Sequence, residues 1–327
     1  MTVAEFLAAH GFGSARRVPL AGDASFRVYE RLSGGPRPAL LMVCPPEREA
    51  LGPFLRIAAL LRGYGLSAPH VFAAEEAAGL ALVEDFGDDT FTRLLASGED
   101  EVRLYRLAAA ALAALHRRPP PEGLGAWGAT EMTEAAAATL LDWWWPAVFG
   151  GPTPGDLRRS FAEAVAETLA PFAEDEPVLV HRDFHVDNLI LLPRPGVAAC
   201  GLLDFQDAAA GHPAYDVMSL IEDARRDVSA EARRAALALY FEEAAVADRM
   251  RFLASLAAHA ALRHVRVAAL WTRLARRDGK PGYLRFAPRT WRLLERALAN
   301  PACRPLAAWF DRHIPPALRR SPQEAAR

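Results

Sequence analysis

The sequence is short of lysine and of long apolar runs, and each shortage excludes a class of protein. Lys280 is the only lysine among 38 basic residues, and 40 acidic residues leave a formal net charge of −2. There is no overall basic field of the kind that holds nucleic acid or an anionic membrane. The apolar runs fall short of the roughly 20 residues that span a bilayer. We therefore expect a protein that binds neither nucleic acid nor membrane. Any charged ligand must be bound by a few charged residues close to it.

Cysteine is also scarce. Cys44, Cys200 and Cys303 are odd in number and widely separated, which predicts reduced, mostly buried thiols rather than a disulfide framework or a metal cluster. The amino terminus carries Glu5 and lacks the basic and apolar segments of a secretory signal. These features favour a cytoplasmic protein.

The 327 residues, 52% hydrophobic and 24% charged, exceed one ordinary core and predict two lobes. The first part of the chain reads as an antiparallel sheet, with strands at 15–21, 26–32, 39–44, 70–75 and 79–84. A change to helical spacing at 54–61 predicts one helix after the third strand. The polar segment EDFGDDT that follows the last strand is the predicted linker.

Beyond residue 90 the chain is alanine-rich and predominantly helical in pattern. Helices are predicted at about 101–117, 131–145, 156–171, 213–225, 230–247, 249–276 and 283–299. Short apolar runs interrupt them at 178–207, and the tail after Ile314 is expected to be loosely ordered. The predicted class is α+β, with a small antiparallel-sheet N-lobe at 1–87 and a larger helical C-lobe at 88–327.

The interruption at 178–207 carries the chemistry. Asp183, Asn188 and Asp204 lie at the ends of apolar runs, and their spacing lets them converge on a divalent cation and a hydroxyl. Oxygen ligands such as Asn188 and Asp204 suit Mg²⁺ together with nucleotide phosphates. Asp183 is not needed as a metal ligand, so it can orient and deprotonate an acceptor hydroxyl. Each residue alone is more often a turn cap, but the conjunction favours phosphoryl transfer.

The runs HRDFHVDN, LLDFQDA and GHPAYDVMSL resemble the aminoglycoside/choline kinase family of phosphotransferases, which have a bilobal protein-kinase-like fold. The resemblance implies that Asp183 is the catalytic base and that Asn188 and Asp204 bind Mg²⁺. It also implies that His181 is a structural residue of the catalytic loop and that Asp216 braces that loop from a helix. ATP and Mg²⁺ are the implied cofactors.

A narrower resemblance lies in GDASFRVYERL, EDFGDDTFTRLL, DFQDA and LRHVRVAALWTRLARRDGKPGYL. These segments are similar to those of the anomeric kinases for N-acetylmuramate and N-acetylglucosamine in bacterial cell-wall recycling. The implied reaction transfers the γ-phosphate of ATP to the C1 hydroxyl of an amino sugar. The alternatives are a kinase for another small alcohol, such as an aminoglycoside, choline or homoserine, and a nucleotide-binding pseudokinase with a regulatory role. The oligomeric state is left open.

The nucleotide side departs from the family pattern, because the third strand, ALLMVC, has no lysine. Arg27 is the predicted substitute for the phosphates, with Arg31 second. Gly22 and Ser25 lie where such folds place a phosphate-covering loop, although GDAS also fits an ordinary turn. The backbone of Glu84 and Phe86, in the linker, is predicted to contact the adenine edge.

Two acidic residues after Pro45 and Pro46 have two interpretations. Glu47 and Glu49 are expected to open the helix and to complement its dipole. The alternative is that one of them pairs with the arginine that replaces the lysine.

The sequence contains fewer motifs for the acceptor site than for the nucleotide site. Asp207 is a candidate for binding sugar hydroxyls or for a place in the surroundings of the metal. His185 either contacts the acceptor or braces the loop. An anionic lactyl group would need a basic partner, although most arginines on helices are solvated. The candidates for that partner are Arg225, Arg226, Arg263, His264 and Arg266. The run Trp143–Trp145 is expected to supply one core ring and one that lines the acceptor site or the region between the lobes.

Overall fold

The structure is a computed structural model that describes residues 1–20 and 27–322. The chain divides into two units. The first unit comprises Met1–Asp100 and Val186–Ala208, and the second comprises Glu101–His185 and the chain from Ala209 onward. The lobe boundary between residues 87 and 88 stays a prediction.

The first unit is built on a five-stranded sheet in the order β1-β2-β3-β5-β4, with every neighbouring pair antiparallel. The predicted antiparallel sheet is confirmed, and so is the helix after its third strand. Helices α1 and α3 were not predicted. The elements are β1 (Arg16–Pro19), β2 (Val28–Ser33), β3 (Ala39–Val43), β4 (Val71–Glu75), β5 (Leu80–Glu84), α1 (Val3–Ala9), α2 (Gly52–Gly63) and α3 (Phe91–Ala96).

Alternation along the strands explains why this sheet is covered on both faces. Leu41 and Leu82 are fully buried and belong to the same core cluster as Phe6 and Leu7 of α1. Met42 follows Leu41, so its side chain points to the opposite face, and it is fully buried as well. A strand with both faces buried reads as a continuous apolar run, as ALLMV does.

An antiparallel ribbon of β8 (Leu189–Leu191) and β9 (Cys200–Leu202) also belongs to the first unit. The backbone N–H of Leu202 donates to the Ser67 carbonyl at 2.7 Å, and that of Leu191 donates to the Asp89 carbonyl at 2.9 Å. Main-chain bonds therefore attach the ribbon to segments that flank the sheet.

The second unit is mainly helical, as predicted. Its 28-residue helix α10 covers the predicted range and packs against α5, α8 and α11. A three-stranded sheet in the order β6-β10-β7 lies in the same unit. The elements are α4 (Glu101–His116), β6 (Ala126–Trp127), α5 (Ala129–Thr139), α6 (Trp145–Phe149), α7 (Gly155–Leu169), β7 (Val178–Val180), β10 (Ala209–Gly211), α8 (Ala214–Ile221), α9 (Ala230–Glu243), α10 (Arg249–Arg276), α11 (Ala287–Leu298) and α12 (Arg304–His313).

The expectation of a loose tail after Ile314 is wrong for residues 315–322. Arg319 is only 7% exposed, and its guanidinium donates to the Ile314 carbonyl at 2.7 Å. The same group pairs with Glu295 at 2.8 Å and with Asp311 at 2.5 Å. A composition rich in arginine, proline and alanine does not reveal such partners, because they lie on other helices.

The three cysteines are free and buried, which confirms the prediction of reduced thiols. None of the helices that the structure describes combines the length and the apolar character needed to cross a membrane.

Gly79 offers a test of the first unit. Its φ is +65°, and a Cβ built on it would lie 1.8 Å from the Cys44 carbonyl oxygen. We expect Gly79→Ala to lower the free energy of unfolding by about 2 kcal/mol or more, since both strain and overlap must be relieved. Urea denaturation measures the change.

Gly63→Ala is the matched control, because Gly63 ends α2 and a Cβ there meets no atom within 4 Å. We expect this variant to unfold within about 1 kcal/mol of the wild type. Equal effects of the two substitutions would contradict the packing described for Gly79.

Candidate active site

A loop that leads into Asp183 is held by a buried carboxylate. Asp216 lies in the first turn of α8 and has no exposed surface. Its Oδ2 accepts the backbone N–H of His181 at 2.5 Å, and its Oδ1 accepts that of Arg182 at 2.9 Å. Arg182 has φ +76°, a conformation that residues other than glycine rarely adopt. Two bonds to consecutive N–H groups offset that strain and give Asp216 the bracing contact that the family resemblance implies.

His181 is 1% exposed, and its ring packs edge-on against Phe184 with the centroids 5.5 Å apart. Within the described part of the chain, neither ring nitrogen has a hydrogen-bond partner. The side chain therefore contributes packing to the loop, which fits a structural role.

Asp183 lies against arginines on α10. Its Oδ1 is 3.6 Å from Arg263 Nη1, and its side chain is 31% exposed. Burial acts to raise the pKa of Asp183, but the positive charges of Arg266 and Arg263 outweigh burial and hold that pKa well below its usual range. The group is thus a carboxylate at neutral pH. A carboxylate of low pKa is a weak base. Such a carboxylate can orient an acceptor hydroxyl and accept the hydroxyl proton late in the reaction.

Asp183 opens into a small pocket of about 70 Å³ in the second unit. Six of its ten lining residues have polar side chains, and Trp271 supplies an aromatic surface. The polar side chains that line it are Asp183, His185, Asp223, Arg225, Arg263 and Arg266. The structure thus brings predicted His185 and three of the predicted basic residues together around Asp183.

The state of His185 follows from its surroundings. Burial lowers the pKa of His185 below its usual value, and the nearby Asp223 carboxylate only partly opposes this. The imidazole is therefore neutral at pH 7 and adds no charge to the pocket.

Sequence reasoning missed Asp223 and Trp271. Asp223 is 4% exposed, and its Oδ1 accepts the Arg225 backbone N–H at 2.7 Å. The other oxygen, Oδ2, has no hydrogen-bond partner among the described residues. The signal that could have found Asp223 is the acidic pair with Glu222 directly after an apolar helix, which was predicted to run on to residue 225 but ends at Ile221.

Other acceptor candidates lie elsewhere. Asp207 is exposed and does not line this pocket. His264 bonds Glu222 at 2.8 Å, and Arg226 pairs with Glu101 at 3.3 Å. None of the three consecutive tryptophans lines the pocket, and Trp144 is a core residue with no exposed surface.

The two predicted metal ligands lie at one end of the β8–β9 ribbon, in the first unit. Asn188 directly precedes β8 and Asp204 follows β9, and the register pairs Leu189 with Leu202. The described residues contain no group of three His, Cys, Asp or Glu side chains that could hold a metal alone. One amide and one carboxylate suit Mg²⁺, which takes its remaining ligands from phosphates and water. The donor set therefore fits this ion.

Arg27 lies beside Asp204. Its Nη2 is 3.1 Å from Asp204 Oδ1, its Nε is 3.1 Å from Glu49 Oε1, and its Nη1 donates to Gln206 at 2.6 Å. Burial acts to lower the pKa of Arg27, but Tyr29, Asp204 and Glu49 outweigh burial and raise that pKa above its usual value. A permanent positive charge therefore stands next to a predicted magnesium ligand.

The expectation that Glu47 and Glu49 open the helix is wrong. Helix α2 begins at Gly52, with Pro53 in its first turn, where proline is tolerated. Both glutamates precede the helix, and Glu49 pairs with Arg27 instead. The structure therefore supports the pairing that was the alternative interpretation of these residues.

Arg31, the second candidate for the phosphates, binds the linker. Its guanidinium donates to both oxygens of Asp85, at 2.6 and 3.0 Å, and to both oxygens of Asp88, at 2.9 and 3.0 Å. Arg27 is also shared by two carboxylates, but one of them, Asp204, is a predicted metal ligand, whereas both partners of Arg31 lie in the linker. Arg31 thus holds the segment after β5.

The linker residues predicted to contact adenine have local partners. The backbone N–H of Glu84 donates to the His70 carbonyl at 2.8 Å, which leaves that donor engaged. The Phe86 ring lies 5.2 Å from the Arg194 guanidinium and so close to Gly201 that a Cβ there would be 3.0 Å away. The adenine contact stays a prediction.

Gly22 and Ser25, predicted to cover the phosphates, lie outside the described residues.

A larger cavity of about 270 Å³ lies in the first unit, and His10, Phe12, Arg37 and His70 are among its lining residues. None of the predicted site residues lines this cavity. Its size alone does not connect it with phosphoryl transfer.

Comparisons with known proteins agree with the resemblance. The profile of the family described as "Phosphotransferase enzyme family" matches residues 16–253. The chain is 42% identical to an N-acetylmuramate/N-acetylglucosamine kinase of Caulobacter vibrioides, over 97% of both chains. It is 33% identical to the Pseudomonas aeruginosa protein of that name, over 90% of this chain and 88% of the relative.

Solved structures identify the fold. The choline kinase LicA from Streptococcus pneumoniae superposes with a TM-score of 0.63 at 14% identity, over 89% of this chain and 96% of that one. The predicted α+β, protein-kinase-like fold class is therefore confirmed. Together with the profile match, which covers most of the chain, these findings show that the protein belongs to the phosphotransferase enzyme family.

Proposed function

We propose that this protein is an ATP-dependent kinase that phosphorylates the C1 hydroxyl of N-acetylmuramate and N-acetylglucosamine. The observation that carries the proposal is the 42% identity, over 97% of both chains, to a relative named for these two sugars. An anomeric hydroxyl is more acidic than an ordinary alcohol because the ring oxygen withdraws charge, so a single weak carboxylate base suffices. The three free cysteines suit the cytoplasm, where ATP is found.

In this proposal Asp183 is the residue that orients and deprotonates the acceptor. Its ionised carboxylate beside a pocket supports the assignment. Asp216 acts through the loop as a positioning residue, because its two bonds fix the backbone immediately before Asp183. His181 supports the same loop by packing.

Asn188 and Asp204 would hold Mg²⁺, which when bound neutralises charge on the nucleotide phosphates. Arg27 takes the place of the family's lysine toward those phosphates. Its contacts with Asp204 and Glu49 support this role. Gly22, Ser25, Glu84 and Phe86 remain the candidates for covering the phosphates and for lining the adenine.

The acceptor side of the proposal centres on the pocket beside Asp183. His185 lines this pocket as a neutral donor or acceptor, which supports its assignment to the acceptor. Asp207 remains a candidate for sugar hydroxyls outside the pocket. Three arginines in the pocket favour an anionic or neutral acceptor over a cationic one such as choline.

Replacing the base tests the reaction directly. We expect Asp183→Asn to reduce turnover by roughly 10²- to 10⁴-fold, because the amide cannot accept the hydroxyl proton. ADP release measures the rate, and phosphorus NMR identifies an anomeric phosphate on either sugar, with choline and an aminoglycoside as control acceptors.

Asp142→Asn is the control, since Asp142 forms a surface pair with Arg158. It should keep wild-type turnover and thermal midpoint. ATP binding by the wild type without acceptor-dependent ADP release would instead favour a regulatory pseudokinase.

Arg27 can be tested against Arg31. We expect Arg27→Ala to raise KM for ATP or to lower kcat by at least ~10-fold, since the phosphates lose a positive partner. Arg31→Ala should have a smaller effect, because its partners Asp85 and Asp88 lie in the linker and neither is a predicted metal ligand. Initial rates over a range of ATP concentrations decide between them, and a larger effect at Arg31 would reverse the assignment.

The magnesium assignment predicts a shift in metal dependence. We expect Asp204→Asn to raise the Mg²⁺ concentration for half-maximal activity by at least ~10-fold, since an amide oxygen is the weaker ligand. Glu30→Gln, which removes a pair with Arg17 in the same sheet, should leave that concentration unchanged. Identical Mg²⁺ titrations for Asp204→Asn and wild type would remove Asp204 from the metal site.

A further inference from the structure

The charges of the pocket beside Asp183 do not balance. The guanidinium groups of Arg225, Arg263 and Arg266 stand against the carboxylates of Asp183 and Asp223. Arginine is always protonated in proteins, so the wall carries one positive charge in excess. An acceptor with a single negative charge balances it, whereas a cationic acceptor adds to the excess.

One carboxylate oxygen of a residue that lines the pocket lacks a hydrogen-bond partner among the described residues. Asp223 is more than nine-tenths buried, and the Arg225 backbone N–H bonds its Oδ1 at 2.7 Å. Its Oδ2 has no partner within the described chain. Because a buried acceptor left unpaired is costly, a hydroxyl donor from a ligand is its natural complement.

The three arginines differ in their positions. Arg263 and Arg266 lie on α10, and Arg263 Nη1 is 3.6 Å from Asp183 Oδ1. Arg225 lies in the segment after α8, and its backbone N–H donates to Asp223 Oδ1. Arg225 is therefore the pocket arginine next to Asp223 rather than on the helix that contacts the base.

The pocket beside Asp183 is small, at about 70 Å³. A substituent close to the reacting hydroxyl of the acceptor therefore lies within reach of its wall. The two proposed acceptors differ in one substituent, the lactyl carboxylate, which N-acetylmuramate carries and N-acetylglucosamine lacks.

We propose that Asp223 and Arg225 determine acceptor specificity. Asp223 Oδ2 accepts a hydrogen bond from a hydroxyl that both sugars carry, and Arg225 binds the lactyl carboxylate that only N-acetylmuramate carries. This inference rests on the proposed function.

Kinetics on the two sugars test the proposal, with the full-length protein, ATP and Mg²⁺. We expect Arg225→Gln to raise KM for N-acetylmuramate by ~10-fold or more, because a charged hydrogen bond is lost. The same variant should leave KM for N-acetylglucosamine within about twofold of the wild-type value. Asp223→Asn should raise KM for both sugars by ~10-fold, because the amide nitrogen cannot accept the hydroxyl.

Arg226→Gln is the matched control, since the neighbouring Arg226 pairs with Glu101 and does not line the pocket. It should leave both KM values unchanged. Thermal midpoints within a few degrees of wild type show that the variants fold, and Arg225→Lys should recover part of the affinity for N-acetylmuramate.

The outcomes separate this inference from the function on which it rests. If the wild type phosphorylates neither sugar, the proposed function fails and the inference fails with it. If the wild type phosphorylates both and Arg225→Gln changes the two KM values equally or not at all, only the role of Arg225 is overturned. Unchanged KM values in Asp223→Asn overturn the role of Asp223.

Discussion

The buried carboxylate of Asp216 is the constraint on which the candidate site depends. Its two oxygens accept consecutive backbone N–H groups, from His181 and from Arg182 in its left-handed conformation. A carboxylate without exposed surface is stable only when its oxygens are satisfied, and the loop backbone is held only while they are. Helix α8 and the loop therefore stabilise each other. The position of Asp183, the next residue along the chain, follows from that mutual dependence.

The scarcity of lysine has a structural counterpart in the first unit. Arg27 contacts Asp204, Glu49 and Gln206 through three different nitrogens, which a lysine ammonium could not do with the same geometry. The planar guanidinium therefore holds both Glu49, which precedes α2, and Asp204, the candidate metal ligand. A positive charge is thus kept beside Asp204 although β3 contains no lysine.

In the second unit, helix α10 contributes both the charge and the aromatic surface near Asp183. Arg263 and Arg266 lie one turn apart on this helix, with Trp271 further along. The positive charges of the two arginines keep Asp183 ionised and also make it a weaker base. A weak base suffices for a phosphoryl transfer in which the hydroxyl proton leaves late.

Patterns local in the chain determined much of this protein. Three such patterns are the continuous apolar run ALLMV, the helical period of 249–276 and the spacing of Asp183, Asn188 and Asp204. Each can be recognised from the sequence because it is a repeat or a motif within one short segment of the chain. Only the tertiary structure decided the pairing of Glu49 with Arg27, the burial of Arg319 and the place of Asp223 beside Asp183. Those contacts join different elements of the fold, and a side chain's charge and burial depend on neighbours that sequence spacing does not specify.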